Sequence, residues 1–141
     1  MVTREKLNAA EEFCELIQEP EYAERRLELE NGIIVEVAGS SPVNSGTAIR
    51  LAYLMGKHVY ENDLGHMTGA DGGYELSPNT VRIPDLAFVT KERYPELPRK
   101  LKGGPDIAIE MVSESEDILR KATEYLNAGT SLVWAIYPDK K

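Results

Sequence analysis

The last third of the chain reads as a strand, a helix and a second strand, and this order restricts the fold more than any other pattern in the sequence. Apolar residues dominate residues 105–112 and 132–137. Between them Gly129 provides a helix stop, and an apolar face repeats at helical spacing: Ile118, Leu119, Ala122, Tyr125 and Leu126. A segment of this length joins parallel strands through a right-handed crossover. We therefore predict parallel neighbours, a helix capped by Ser113 or Ser115, and a buried final strand.

Two helices and a hairpin are predicted ahead of this unit. Apolar residues at helical spacing from about residue 4 to 18, followed by Pro20, indicate an amphipathic helix. The Asn31-Gly32 pair tolerates the positive φ angles of a type I′ turn and separates two strand-forming runs, which predicts a hairpin. Ser40-Ser41-Pro42 supplies a cap and a first turn for a second helix that extends toward Tyr60.

This order of elements predicts an α/β (α+β) fold in which helices flank one mixed central β-sheet. A length of 141 residues suits a single domain. Within it, we expect an N-terminal helix in residues 1–20, a hairpin in residues 25–38 and the core in residues 42–137. The runs 81–89 and 105–112 are each predicted as one strand of that sheet.

The chain is acidic, with 24 acidic against 16 basic residues and a net charge of −8. This balance weakens attraction to a phosphate backbone, so nucleic-acid binding would need a local site. The single cysteine, Cys14, cannot form an internal disulfide, and no segment is long and apolar enough to span a bilayer. We therefore expect a cytoplasmic protein without a membrane partner. The oligomeric state stays open, a homodimer included.

Two carboxylates lie inside apolar strand-forming runs. Asp85 lies in residues 81–89, and Glu110 lies in residues 105–112. A carboxylate in such surroundings loses its hydration, and apolar neighbours offer no hydrogen bonds in compensation. Its presence therefore indicates a metal ion or a catalytic role. If both side chains point to the same face, they can bind a hard divalent cation such as Mg²⁺, with the backbone carbonyl of Met111 as a third protein ligand. That ion would lower the pKa of a water and neutralise charge on a phosphoryl oxygen.

Two further charged residues are candidates for this site. Lys121 follows Glu110 in the crossover helix, from which it can orient a water or stabilise negative charge in a transition state. Glu28 faces away from its apolar neighbours Leu27 and Leu29, so it is a further candidate carboxylate. The alternative for Glu28 is an exposed position on the hairpin.

Each candidate also has a purely structural explanation. Asp85 can be a turn residue beside a proline, and Glu110 can form a half-buried ion pair with Lys121 or an arginine. Lys121 has Glu124 at helical spacing, which is typical of a solvated network on a helix face. Tyr125, one turn after Lys121, is expected to pack rather than react.

Four motifs follow one another in a specific order: residues 82–89, residues 106–113, residues 121–125, and Ala128-Gly129 followed by residues 134–138. Together with the Glu28–Gly32 hairpin, they resemble the Uma-two family of bacterial restriction-endonuclease-like proteins. That family belongs to the PD-(D/E)XK nuclease superfamily. The resemblance covers nearly the whole chain, from the hairpin to Pro138.

The resemblance implies a restriction-endonuclease-like core in which Asp85 and Glu110 hold Mg²⁺ or Mn²⁺ and DNA is the substrate. Two departures from the pattern stand out. The superfamily has lysine two residues after the glutamate, whereas this chain has Val112, so Lys121 would serve as a relocated lysine, as the family's pattern suggests. Family members also usually continue beyond the Tyr-Pro-Asp stretch, whereas this sequence stops at Lys141.

The predicted function is therefore that of a Mg²⁺- or Mn²⁺-dependent DNA endonuclease. Contact with the DNA backbone is expected from a basic cluster between the two motif strands, namely Arg93, Arg99, Lys100 and Lys102. The alternative is a protein that keeps the nuclease fold and acts as a binding or interaction module. The negative charge and Val112 are in line with that alternative.

Overall fold

The structure, a computed structural model, describes residues 8–37, 39–113 and 117–139. These contain three helices, α1 (Ala10–Leu16), α2 (Pro42–Glu61) and α3 (Ile118–Asn127). They also contain nine strands: β1 (Leu27–Glu30), β2 (Ile33–Glu36), β3 (Gly65–Thr68), β4 (Tyr74–Ser77), β5 (Thr80–Arg82), β6 (Leu86–Thr90), β7 (Leu101–Lys102), β8 (Ile107–Met111) and β9 (Leu132–Ile136). The predicted α/β class is confirmed.

The strands form two mixed sheets rather than one. One sheet has the order β2-β1-β5-β4-β7 and the other has the order β3-β6-β8-β9. The run 81–89, predicted as a single strand, supplies β5 to the first sheet and β6 to the second. Pro84 lies between them, and because proline has no N–H to donate, a continuous ladder stops there. Asp85 therefore lies where the chain crosses from one sheet to the other.

The hairpin is confirmed. β1 and β2 are antiparallel, with Glu30 opposite Ile33. Asn31 and Gly32 have φ angles of 48° and 85°, as a type I′ turn requires. Helix α1 packs Ala10 and Phe13 against the inner face of this hairpin, which includes Leu29. The predicted helix begins earlier, but residues 1–7 lie outside the described part of the chain.

The strand–helix–strand unit is also confirmed. β8 and β9 are parallel, with Glu110 opposite Ala135, and α3 connects them. The predicted cap is wrong for Ser113, because the Asp117 side chain accepts the N–H of Arg120 at 3.2 Å. Ser115 lies outside the described residues.

Strand β9 is not buried as predicted. Leu132 is 42% exposed and Trp134 is 38% exposed. The reason is topological: among the residues that the structure describes, β9 is the edge strand of its sheet and has β8 as its one neighbour, so one side of the strand is left uncovered. Helix α2 packs on the face of this sheet that carries Leu86, Ile109 and Met111.

Ser41 begins α2 as the sequence predicts. Its hydroxyl accepts the N–H of Asn44 at 3.1 Å, and Pro42 occupies the first turn, where its missing N–H has no cost. In the described residues, none of the helices is both long enough and apolar enough to cross a membrane.

Candidate functional site

Asp85 is held against the end of β8. One carboxylate oxygen, Oδ2, accepts the N–H of Met111 at 2.7 Å, and Oδ1 lies 3.3 Å from Nη2 of Arg26. Val112, directly after β8, donates its own N–H to the carbonyl of Ile136 of β9 at 2.7 Å. Because N–H and C=O of one strand residue point to the same edge, the carbonyl of Met111 points to the Asp85 side of β8.

Glu110 is buried on β8 beside Asp85. Its Oε1 accepts a hydrogen bond from the hydroxyl of Tyr125 at 2.9 Å. Burial raises the pKa of Glu110 to about 8; Lys121 opposes this rise and Asp85 adds to it. Burial also raises the pKa of Tyr125, so its hydroxyl keeps the proton that it donates. Two carboxylates that repel each other in a buried position favour a cation between them.

Lys121 and Glu28 reach the same place from α3 and β1. Nζ of Lys121 lies 3.9 Å from Oε1 of Glu28, and the Lys121 side chain is only 14% exposed. Glu28 is 3% exposed, so the alternative of an exposed hairpin position is wrong. Its Oε2 accepts the N–H of Ile83 at 2.7 Å. A solvated helix face is also wrong for Lys121, because its side chain is mostly buried, and Glu124 contacts Arg82 as well as Arg120 of its own helix.

Arg82 joins the elements around this site. Its guanidinium binds Glu124 in a two-pronged contact, with Nε–Oε2 at 2.7 Å and Nη2–Oε1 at 3.1 Å. It also lies 3.3 Å from Glu28 and 3.5 Å from Glu30. The network therefore connects β1, β5 and α3 through one buried cation. The position of Arg82 between Val81 and Ile83 carries the same signal that singled out Asp85, a charge inside an apolar run.

All five predicted site residues line one cavity of about 480 Å³, namely Glu28, Asp85, Glu110, Met111 and Lys121. The basic residues Arg93, Arg99, Lys100 and Lys102 do not line it. Arg93 instead supports its own loop, donating to the carbonyl of Gly104 at 2.6 Å. The sequence does not predict Tyr125 as the hydrogen-bond partner of Glu110. The available signal is its spacing, because Tyr125 lies four residues after Lys121 and therefore on the same side of α3.

The donor set suits a hard divalent cation. Among the described residues, no group of three or more His, Cys, Asp or Glu side chains is arranged to hold a metal ion. Mg²⁺ often binds through only one or two carboxylates and keeps waters for its remaining positions. Asp85 and Glu110 line one cavity with Met111, whose carbonyl points to the Asp85 side of β8, and carboxylate and carbonyl oxygens are the ligand types that this ion takes.

Glu110 should make stability depend on pH. Its pKa is about 8 in the folded protein against an ordinary 4.5, so folding favours the protonated form. The stabilisation is complete below pH 4.5 and is lost as the pH rises toward 8. At about 1.4 kcal/mol per pKa unit, the loss is at most about 5 kcal/mol. We expect the free energy of unfolding, measured by urea titration without divalent ions, to fall over this range. In Glu110→Gln it should fall much less, and equal slopes would contradict the assignment.

Comparisons with known proteins agree with this architecture. The model of the Uma2 family, described as "Putative restriction endonuclease", matches residues 10–141. Among solved structures, the chain is similar to a "putative nuclease belonging to DUF820 from Anabaena variabilis ATCC 29413". The identity is 16%, the TM-score is 0.77, and the alignment covers 95% of this chain and 82% of that one, a likeness that shows the fold alone. No curated protein matches. Since the family match spans nearly the whole chain, this protein belongs to the Uma2 family.

Proposed function

We propose that the protein is a divalent-metal-dependent DNA endonuclease that hydrolyses phosphodiester bonds. The observation that carries the proposal is the convergence of Asp85, Glu110 and Lys121 on one cavity from three different elements. Carboxylates with a nearby lysine are the groups that metal-assisted phosphodiester hydrolysis needs. The family membership supports the same reaction class.

Asp85, Glu110 and the carbonyl of Met111 would hold Mg²⁺ or Mn²⁺. Such an ion lowers the pKa of a bound water and neutralises charge on the phosphoryl oxygens. The chain's own groups prepare the ligands: the N–H of Met111 orients Asp85, and the hydroxyl of Tyr125 orients Glu110. Because these contacts fix both carboxylates before substrate binds, little reorganisation is left for the reaction.

Lys121 would assist the attacking water. The water oxygen forms a bond to phosphorus while the bond from phosphorus to the leaving nucleotide oxygen breaks. The attacking water releases one proton to solvent, and the leaving oxygen takes up one proton from solvent. The ammonium group of Lys121 can orient that water and balance the negative charge that develops on the phosphoryl oxygens. Glu28 contacts Lys121 and Arg82, so its proposed role is to position the lysine rather than to bind the metal.

A nuclease assay tests the proposal. We expect wild-type protein to cleave plasmid or single-stranded DNA with Mn²⁺ or Mg²⁺ and to lose this activity in EDTA. Glu110→Gln, which keeps the size of the side chain but removes its charge, is the control against a contaminating nuclease. Cleavage that persists in EDTA, or at an equal rate in Glu110→Gln, would reject the proposed site.

A nuclease-fold protein that binds without hydrolysis is the second candidate. It is favoured by Val112, which is buried where the superfamily pattern has a lysine, and by Arg26, which pairs with Asp85. In that case the protein would bind DNA or another partner without cutting it in any of the metals tested.

A further inference from the structure

Helix α2 exposes large side chains along one flank. The face that packs on the sheet includes Ala52 and Met55. Beside that face, Ile49, Tyr53 and Tyr60 follow one another four and seven residues apart, so they form one apolar stripe along the helix. They are 69%, 68% and 59% exposed. Neighbouring exposed apolar residues mark interaction sites, which single ones do not.

The apolar stripe begins beside the site of the proposed reaction. A second cavity, of about 310 Å³, shares Asp85 with the first one, and Ile49 lines it together with small residues such as Ala48 and Gly69. From Ile49 to Tyr60 the helix extends about 16 Å, at 1.5 Å per residue. A polymer with one group at Asp85 can therefore pass through the second cavity and continue along the stripe.

The charge of α2 differs from that of the chain as a whole. Residues 37–60 contain no Asp or Glu, although the chain has 24 acidic residues and a net charge of −8. The acidic residue of α2 is Glu61, its last residue. Arg50 and Lys57 are exposed, and they lie three residues before and four residues after Tyr53, so both are its neighbours on the helix surface. Positive charge around an aromatic ring complements an anionic partner that has flat groups.

Tyr60 is held in place while its ring stays exposed. Its hydroxyl accepts the N–H of Met67 in β3 at 3.1 Å. Gly56 lies one turn before Tyr60, and a Cβ at that position would be 3.9 Å from the Tyr60 ring. A larger side chain at this position would extend over the ring, and glycine is otherwise unfavourable in the middle of a helix. The ring is therefore fixed and open before a partner arrives, which lowers the entropic cost of stacking on it.

We infer that Tyr53 and Tyr60 stack the unpaired bases of single-stranded DNA whose backbone passes Asp85. This inference rests on the proposed function and names the class of substrate that it takes. Bases stack on aromatic side chains whatever their sequence, and cations beside the rings contact the phosphates between the bases. In a duplex the bases stack on one another, so they do not reach the rings. A single strand should therefore bind more tightly than a duplex of the same sequence.

The anisotropy of a fluorescein-labelled single strand, and of the same strand in a duplex, tests the inference. Both are titrated in Ca²⁺, and the probes are checked for integrity. Tyr53→Leu keeps an apolar side chain but removes the ring, and it should weaken single-strand binding roughly 5- to 100-fold. Tyr53→Phe keeps the ring and should bind the single strand as the wild type does. Duplex binding should change little in either variant.

Two control variants match these changes. Leu119 is 79% exposed on α3 and lines neither cavity, so Leu119→Ala should leave single-strand binding at the wild-type level. Arg50→Ala should reduce the slope of log affinity against log salt by about 0.7, because one phosphate contact of a single strand is lost. Arg25→Ala removes the same charge from an exposed pair with Glu36 and should leave that slope unchanged.

The outcomes separate this inference from the proposed function. If the wild type cleaves DNA with Mn²⁺ but Tyr53→Leu binds and cleaves single strands equally well, the stacking site is wrong and the proposed function stands. If Tyr53→Leu changes only the molar mass measured by light scattering, the stripe is an interface between copies of this chain, and the inference is overturned. If the wild type binds neither single-stranded nor duplex DNA, both are overturned.

Discussion

Asp85→Asn is expected to remove both the stabilisation of the protein by Mn²⁺ and its cleavage of DNA. An ion that binds only the folded state at a hundred times its Kd adds about 2.7 kcal/mol to the free energy of unfolding. For a domain of this size, that raises Tm by roughly 5–10 °C. The asparagine keeps the shape of Asp85 but not its charge, so this rise should disappear. Cleavage should fall by roughly 10²–10³-fold, the usual cost of losing one preorganised electrostatic group.

The matched control for this experiment is Asp106→Asn. Asp106 directly precedes β8, as Asp85 directly precedes β6, and it is half-buried. Its carboxylate accepts the N–H of Thr90 at 2.9 Å, but it does not line the cavity. It should therefore keep the full Mn²⁺ stabilisation, measured by differential scanning fluorimetry, and near wild-type cleavage. An equal loss in both variants would show that the effect comes from general carboxylate binding of Mn²⁺ rather than from a site at Asp85.

Local chemistry determines much of the fold, and that part was predictable. The Asn31-Gly32 pair permits positive φ angles, and Ser41 and Pro42 meet the demands of a helix start, so both elements form where the sequence indicates. The parallel pairing of β8 and β9 follows from the length of the connection. The division into two sheets depends on which distant strands pair, which no local pattern records. Pro84 indicates where the run 81–89 divides, because a residue without an N–H rarely continues the hydrogen bonding between two strands.

The same distinction applies to the site. Asp85 and Glu110 were found because a charge inside an apolar run is costly wherever the strand lies. Arg82 satisfies the same rule, but its role depends on Glu124, which is 42 residues away in the sequence. Tyr125 packs inward, as its position on the apolar face of α3 predicts. Its hydroxyl reaches Glu110, however, only because α3 folds back over β8.

The largest effect on stability is expected from Arg82→Met. Methionine fills a similar volume without charge, so the substitution removes the nearer of the two cations beside buried Glu28 and the two-pronged partner of Glu124. Breaking a buried ion pair by removing one partner typically costs about 3–5 kcal/mol. We expect a loss of that size in urea unfolding at pH 7, which is a large fraction of the stability of an ordinary domain.

Two comparisons make this prediction specific to the buried network. Arg25→Met removes an arginine whose pair with Glu36 is exposed at the surface, and the unfolding midpoint should stay near that of the wild type. Adding Glu28→Gln and Glu124→Gln to Arg82→Met should recover part of the lost stability, because the two glutamates nearest to the missing guanidinium then carry no charge. A triple variant less stable than Arg82→Met alone would show that these glutamates stabilise the fold through other contacts. The ion pairs that these glutamates form with Arg82 would then not be the main source of the stability lost in Arg82→Met.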